Sequence, residues 1–568
     1  MGELPLSSLW IIQEQGGSPR PRFFGSLAEP SRDHSGKAPE RLLTMAELVL
    51  IYPPVALPSE PPLGMATVAG FLKRAGVPFH VMDLNVETFE RLLSADCPGP
   101  EPVDRFSRRA LAKLGKSLEQ VRSSCILSEP QRYRSAISHI QRALYLRTEG
   151  TGAPRFTLRD FIHPCLSPLC SAELRRMALE RSMGHVGRWM EQRVIQSVMS
   201  VGARCVGFSL QYLSQALPAM ALCGAIKEAA PNVRVVMGGA LVTSWERIGR
   251  LPDLRPWVDQ LIPGHDLSPL AMILGLDPES LKGDPPLPEL QGFPWRAYLS
   301  PRRMAPMFTS LGCYWGRCKF CPEAGRAESF RSIPAREVPR RMEQIMRETG
   351  AHYIHVTDNA IPPKTLEALA GSRLEIPWFG FARFEPMLSR AGVARGLRGS
   401  GCRMLQLGLE SGSQRVLERL GKGIKLEVVS RILSSLHQEG IATYVYVLLG
   451  TPGETLEDAR KTMEFVADNA ASIDYLHCSI MNLPRAVTAP RDVQIMEFPG
   501  KQSQDLSLYV DFRACEGMDR KTARRFLERE FSREPTIAQI LRKDPPAFTS
   551  AHAALFSGAR DGKLGQTG

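Results

Sequence analysis

Short apolar runs alternate with segments of helical period along most of this chain, and that alternation does so twice. Leu48-Val49-Leu50-Ile51-Tyr52 reads as a buried strand stopped by Pro53-Pro54. A Pro-rich loop follows, then helical spacing over 63–75 with a stop at Gly76, and a second strand over 79–82 that ends at Asp83-Leu84-Asn85. The pattern resumes with a strand over 205–210 and a helix over 217–229. Strands follow over 233–237, entering Gly238-Gly239, and over 259–262. Pro218 falls in the first turn of that helix, where a missing N–H costs little. Strands alternating with helices make a parallel, doubly wound sheet, whose ligands bind beyond the carboxyl ends of the strands.

The second run has strands expected at 306–310, 352–356, 379–382, 404–409, 443–449 and 474–480. Six βα units in so short a stretch suit a partial (β/α)6 barrel with its working end at the strands' carboxyl termini. The fold class is therefore α/β: a Rossmann-like doubly wound domain, a partial barrel, and a small C-terminal piece. The expected organisation is a loose leader over 1–45, the first α/β domain over 46–275, a Pro-rich linker over 276–300, the barrel over 301–495 and a helical extension over 496–568. Residues 86–200 are too long for a loop and read as a helical insertion. Within it, 101–160 carries 12 Lys/Arg against 6 Asp/Glu, half of the chain's net charge of +12. That stretch is either a solvated helical face or a docking surface.

Composition narrows the classes. No run of ~18 apolar residues occurs, so no membrane span is expected, and no secretory signal is visible, which points to the cytoplasm. Twelve Cys in 568 residues are too dilute for a disulfide scaffold, so reduced thiols are available for metal.

The informative stretch is Leu311-Gly312-Cys313-Tyr314-Trp315-Gly316-Arg317-Cys318-Lys319-Phe320-Cys321-Pro322. Three soft thiolate donors fall within nine residues, directly after an expected strand. They suit zinc or an iron–sulfur cluster. Structural zinc wants a fourth ligand at short spacing. His352, His355 and Cys402 make no such pattern, and a plant-type [2Fe–2S] site would need a fourth Cys nearer than Cys402. Three ligands leave one iron of a [4Fe–4S] cluster open.

On these residues the loop resembles the cluster loop of the radical S-adenosylmethionine (SAM) superfamily, with one residue more than the usual C-x3-C-x2-C. The resemblance implies a [4Fe–4S] cluster on Cys313, Cys318 and Cys321, with Phe320 beside the SAM adenine. It places Asp358 and Asn359 near the amino and carboxylate ends of SAM. Gln406, Gly408, Glu410 and Ser411 fall on the segment facing the ribose and methionyl group, and Gly450 and Gly453 on the turn that lets backbone approach the adenine.

The first domain is similar to the cobalamin-binding domain that precedes many radical SAM barrels. Tyr52, Pro53, Leu63, Gly64, Asp83, Ser209, Tyr212, Gly238 and Gly239 stand at that family's positions. Asn85 stands where free cobalamin domains carry a cobalt-binding His, so a bound cobalamin would have no His beneath it. The fifth strand leads into Gly264-His265-Asp266 in place of that family's acidic motif, and His265 reads as a loop histidine.

The resemblance implies cleavage of SAM to a 5′-deoxyadenosyl radical, hydrogen abstraction from an unreactive carbon, and C-methylation from methylcobalamin. The implied partners are a small-molecule or peptide substrate and a one-electron reductant of flavodoxin or ferredoxin type. A monomer is expected, with no membrane and no recognised RNA-binding module. Rearrangement, cyclisation or oxidation by the same assembly stays open, as does a non-catalytic cobalamin- or redox-sensing module. Methylthiotransfer lacks a second three-Cys set, since Cys165/Cys170 and Cys205/Cys223 are isolated pairs. The C-terminal piece either closes the barrel's lower side or contacts substrate.

Overall fold

The computed structural model describes residues 48–102, 104–148, 154–324, 330–390, 392–490, 493–496 and 504–559. The expected leader over 1–45 lies outside the described residues.

The first sheet has five parallel strands: β1 (Leu48–Ile51), β2 (Phe79–Met82), β3 (Cys205–Ser209), β4 (Arg234–Gly238) and β5 (Gln260–Ile262). Their spatial order is β2-β1-β3-β4-β5. The order reverses between β1 and β3, so the crevice at their carboxyl ends is the switch point where such sheets take ligands. Strand β1 pairs on both sides, and all four of its residues are buried. This is why it reads as a continuous apolar run without alternation. On one face the helix Ala216–Ala229 packs so closely on the helix Ser171–Glu180 that a Cβ on Gly224 would lie 2.0 Å from the Ala178 carbonyl.

The insertion carries helices Arg105–Ala112, Leu114–Val121, Pro130–Thr148, Ser171–Glu180 and Gly184–Ser200 and a hairpin of two short strands, Arg155–Phe156 and Phe161–Ile162. It shares a core with the first sheet. A helix already starts at Leu84, because Asp83 caps it by accepting from the Val86 N–H at 3.2 Å.

The Pro-rich stretch expected to be a linker is instead a packed strap. Leu290, Phe293, Ala297, Tyr298 and Leu299 are buried. Glu289 N–H donates to the Ala66 carbonyl at 2.9 Å, and Leu299 N–H to the Pro58 carbonyl at 2.7 Å. Prolines break any period, so the sequence pattern there gives no sign of burial.

The second sheet has six parallel strands in chain order: β6 (Met304–Met307), β7 (Tyr353–Val356), β8 (Trp378–Ala382), β9 (Cys402–Glu410), β10 (Ala442–Leu449) and β11 (Tyr475–Ile480). Strand β6 lies earlier than the expected 306–310. Pro306 is tolerated inside it because β6 is an edge strand with β7 as its one neighbour. Ser310-Leu311 pairs instead with Arg331-Ser332 in an antiparallel clip that flanks the cysteine loop.

Alternation along the strands puts a polar and aromatic set on one shared face. His355 stacks on Phe379 at 4.3 Å between centroids. Phe381 leans on Tyr446 at 5.3 Å, and Tyr446 on His477 at 5.6 Å. The C-terminal helix Thr549–Ala559 packs against β9 and β10, with Ala553, Ala554 and Leu555 fully buried. Tyr444 O–H donates to Asp544 at 2.9 Å. From the insertion, the Tyr133 hydroxyl shares a 2.7 Å hydrogen bond with His552 Nδ1. The C-terminal piece thus joins insertion and barrel.

Candidate functional site

The cysteine loop leaves the short strand Ser310-Leu311 through Gly312, whose φ of +78° favours a residue without Cβ. Cys318 is buried, while Cys313 and Cys321 are partly covered. Burial pushes the thiols of Cys318 and Cys321 up, and the cations of Lys422 and Arg383 oppose that push at Cys318. The Glu323 N–H donates to Cys321 Sγ at 3.4 Å. Among the described residues no three His, Cys, Asp or Glu side chains converge on a single metal ion. The three thiols nevertheless feel one another's charge. A cluster, which gives each cysteine its own iron, fits this donor set better than one zinc ion does.

Around the loop stands a charged frame that sequence reasoning missed. Arg383, just beyond the carboxyl end of β8, donates through Nη1 to Cys318 Sγ at 3.7 Å and through Nη2 to the Lys422 carbonyl. Its guanidinium lies 4.3 Å above the Trp315 ring. Lys422 Nζ pairs with Glu410 Oε1 at 2.7 Å, with both side chains largely buried. The signal that could have found Arg383 is its place at a barrel strand's carboxyl end.

The residues expected near SAM divide into two groups. Gly408, Glu410 and Phe320 come together around Lys422. A Cβ on Gly408 would meet Glu410 Oε1 at 2.5 Å and Lys422 Nζ at 2.7 Å, so glycine makes room for the pair. Glu410 itself has φ +68°. Phe320 lies 5.9 Å from Lys422 Nζ and packs beside Leu448, Met481 and Leu483. Gly450 and Gly453 have φ of +75° and +73°. Between them and the helix Leu456–Asp468, Glu454 accepts from the Thr451 N–H at 2.9 Å, and burial lifts its pKa to about 7.

The second group is engaged in building. Asp358 accepts from the Thr309 N–H at 2.6 Å and the Ser310 hydroxyl at 2.7 Å, which ties β7 to the base of the cysteine loop. Ser411 pairs with Thr462 Oγ1 at 3.0 Å. Asn359 is exposed. Gln406 accepts from the Tyr446 hydroxyl at 3.0 Å, while its buried Nε2 has no partner.

In the first domain, Gly64 and Ser209 converge at the carboxyl ends of β1 and β3, where a Cβ on Gly64 would stand 3.8 Å from Ser209 Oγ. Leu63, Tyr212, Gly238 and Gly239 are partly open at the same edge. Gly239 has φ +100°, and a Cβ there would lie 2.3 Å from the Leu210 carbonyl. Tyr52 and Pro53 are buried, with Gln215 donating to the Pro53 carbonyl at 2.7 Å.

Asp83 and Asn85, expected at the ligand, also bond within the chain. Asn85 accepts from the Ala56 N–H at 2.9 Å and donates to the Ala56 carbonyl at 3.0 Å, so both ends of its amide hold the β1 loop. Asp83 accepts from the Tyr298 hydroxyl at 2.6 Å, and burial raises its pKa to about 7.

Two contacts bring the domains together at these edges. Glu60 Oε1 meets His355 Nδ1 at 2.7 Å, and Arg247 approaches Glu323 at 3.6 Å. Glu60 lies in the Pro-rich loop after β1, where no period marks it. No helix among the described residues is long and apolar enough to cross a membrane.

Residues 307–466 match the Radical SAM superfamily. An uncharacterized methyltransferase of Pyrococcus horikoshii is 25% identical over 283 residues, covering 44% of this chain and 60% of that protein. The tRNA-2-methylthio-N(6)-dimethylallyladenosine synthase of Mycobacteroides abscessus is 26% identical over 280 residues, covering 42% and 51%. This chain thus spans between half and three-fifths of the length of these relatives. Among solved structures, the radical SAM methyltransferase TsrM of Kitasatospora setae with cobalamin and [4Fe–4S] cluster bound superposes with a TM-score of 0.47 at 14% identity, over 80% of this chain and 81% of its own. The cobalamin-dependent radical SAM enzyme OxsB gives 0.45 at 14%, over 76% and 53%.

Proposed function

We propose that this chain, whose barrel is a radical SAM domain, is a cobalamin-dependent C-methyltransferase acting on an unactivated carbon of a small molecule or peptide. The observation that carries the reading is the three-thiol loop framed by Arg383, Lys422 and Glu410 at the carboxyl end of a six-stranded parallel sheet. When bound, a [4Fe–4S] cluster with SAM supplies a carbon-centred radical, and cobalamin supplies a methyl group.

The chain's own residues supply position and exclusion of water. Cys313, Cys318 and Cys321 would hold the cluster. The Glu410–Lys422 pair offers a carboxylate to an ammonium or to ribose hydroxyls, and an ammonium to a carboxylate. Gly450 and Gly453 leave bare backbone for a flat base. In the first domain Gly64, Ser209, Tyr212, Gly238 and Gly239 would receive cobalamin at the switch point. The polar and aromatic face shared by His355, Phe381, Tyr446 and His477 would receive the substrate.

The name of the Mycobacteroides relative raises methylthiotransfer. Against that reading, Cys165/Cys170 and Cys205/Cys223 are isolated pairs in the sequence, with no third Cys beside either. A flavodoxin or ferredoxin is the reductant proposed.

The test is anaerobic reconstitution with iron and sulfide, followed by SAM, dithionite and hydroxocobalamin. 5′-Deoxyadenosine should form, and Cys318→Ala should abolish it. No SAM cleavage by protein with an intact cluster sinks the radical reading. Unchanged methylated product on omission of cobalamin sinks the cobalamin-dependent one.

A further inference from the structure

The loop carries one residue more between Cys313 and Cys318 than its superfamily's usual spacing, and the structure shows what that longer gap accommodates. Trp315 sits inside it. The indole N–H donates to the Gly421 carbonyl at 3.0 Å. The ring lies so close to Gly423 that a Cβ there would stand 2.1 Å from it. Trp315 is therefore wedged against the turn that follows the helix Gln414–Arg419 and presents its face to Arg383.

Arg383 is held from every side. Nε donates to Glu385 at 3.3 Å, Nη2 to the Lys422 carbonyl and Nη1 to the Cys318 sulfur, and the plane rests on Trp315. Its side chain is only 6% exposed and Cys318 only 8%. All three nitrogens are engaged, so none of them is left over for a surface partner. A buried cation rarely persists without a reason for its burial. Glu385 also accepts from the Tyr314 hydroxyl at 2.8 Å, which fixes the carboxylate that orients Nε.

Hydrogen bonds and positive charge at a ligand sulfur stabilise the more negative, reduced state of an iron–sulfur cluster, and so raise its potential. Lys422 is also near Cys318, but its charge is paired with Glu410. Arg383 is the cation that donates directly to the thiol.

We propose that Arg383 is a positioning and tuning residue: seated on Trp315, it donates to the Cys318 sulfur and raises the reduction potential of the cluster. The inference rests on the reading of the loop as a [4Fe–4S] site. The step it governs is the uptake of one electron by the oxidised cluster from the reductant.

The experiment is an EPR-monitored redox titration of the full chain, reconstituted anaerobically, with iron and sulfide counted in each sample. Arg383→Met should keep its iron and shift the midpoint negative. Arg383→Lys keeps the charge but loses the fork, and should shift less in the same direction. Trp315→Ala, which removes the seat, should also shift it negative. Full iron content with an unchanged or more positive midpoint in Arg383→Met overturns the proposal. If that variant takes up no iron, an Arg383→Lys midpoint equal to that of the unmodified chain overturns it. Failure of the unmodified chain to hold a cluster strikes the proposed function instead, so the two failures are distinguishable.

Discussion

The carboxyl ends of the two parallel sheets differ in how they are furnished. At the barrel's end the polar groups are charged and paired: Arg383 on Cys318, and Lys422 on Glu410. At the first sheet's end they are neutral or built in: Ser209, Tyr212 and three glycines at the edge, with Asn85 and Asp83 locked behind them. The carboxyl end of the second sheet is organised around charge, as the proposed anionic cluster and zwitterionic SAM would require. The first sheet is organised around shape, with glycines that let backbone run close to backbone or ligand. One strand–helix alternation therefore builds two chemically distinct edges that meet at Glu60–His355 and Arg247–Glu323.

The largest expected effect tests the charged edge. Lys422→Ala leaves the Glu410 carboxylate buried without its partner and should cost about 3–5 kcal/mol in urea unfolding of the apoprotein. Adding Glu410→Gln should recover most of it. A loss within experimental error would mean that charge pairing is not integral to that edge.

The shape-based edge is tested by two glycines. Gly239→Ala forces a side chain into φ +100° and against the Leu210 carbonyl, and should cost about 1–3 kcal/mol from backbone strain alone, read as a lower Tm. At Gly64 the nearest atom to a new Cβ is 3.8 Å away, so Gly64→Ala should leave the Tm unchanged while weakening cobalamin binding in a spectroscopic titration. Equal Tm values for the two variants would break the contrast.

Asn85→Ala leaves the Ala56 N–H and carbonyl without their partners and should cost about 1–3 kcal/mol in the same unfolding assay. Asn85→Asp sets a carboxylate against the Ala56 carbonyl in a buried site and should cost at least as much.

The smallest effect is a slope. The folded pKa of Asp83 stands at about 7, above its ordinary value of 3.8, so the folded state holds this proton more tightly than the unfolded one. Its contribution is then fully present below about pH 4 and lost as pH rises toward 7. Glu454, at about 7, and Asp544, at about 6, lean the same way. Asp83→Asn should flatten part of the fall in stability between pH 4 and 7, measured as urea midpoint against pH. An unaltered slope would mean that Asp83 titrates normally in the folded chain.

Much of the fold was legible because periodicity is local. The strand at 79–82 and the end of β1 need only their own residues and neighbouring prolines to be read. The three thiols were legible for the same reason, since nine residues of chain keep them together wherever the loop goes. The Pro-rich strap and the antiparallel clip at Ser310-Leu311 were not, because short irregular segments carry no period and gain their order from what they pack on. The intrachain bonds of Asp83 and Asn85 were not legible for a related reason. A motif position names a residue type, and burial decides whether its polar atoms face a ligand or the backbone.

By itself the sequence determined two α/β units, a helical insertion between strands of the first, and a cysteine loop at the head of the second. Those features depend on chain connectivity and on side-chain period, both written within a few residues. Only the tertiary structure decided which charges meet. Arg383 reaches Cys318 across 65 residues, and Glu60 reaches His355 across 295. Hydrogen bonds at that separation have no signature along the chain, because the packing of the sheets and the exclusion of water bring them within reach.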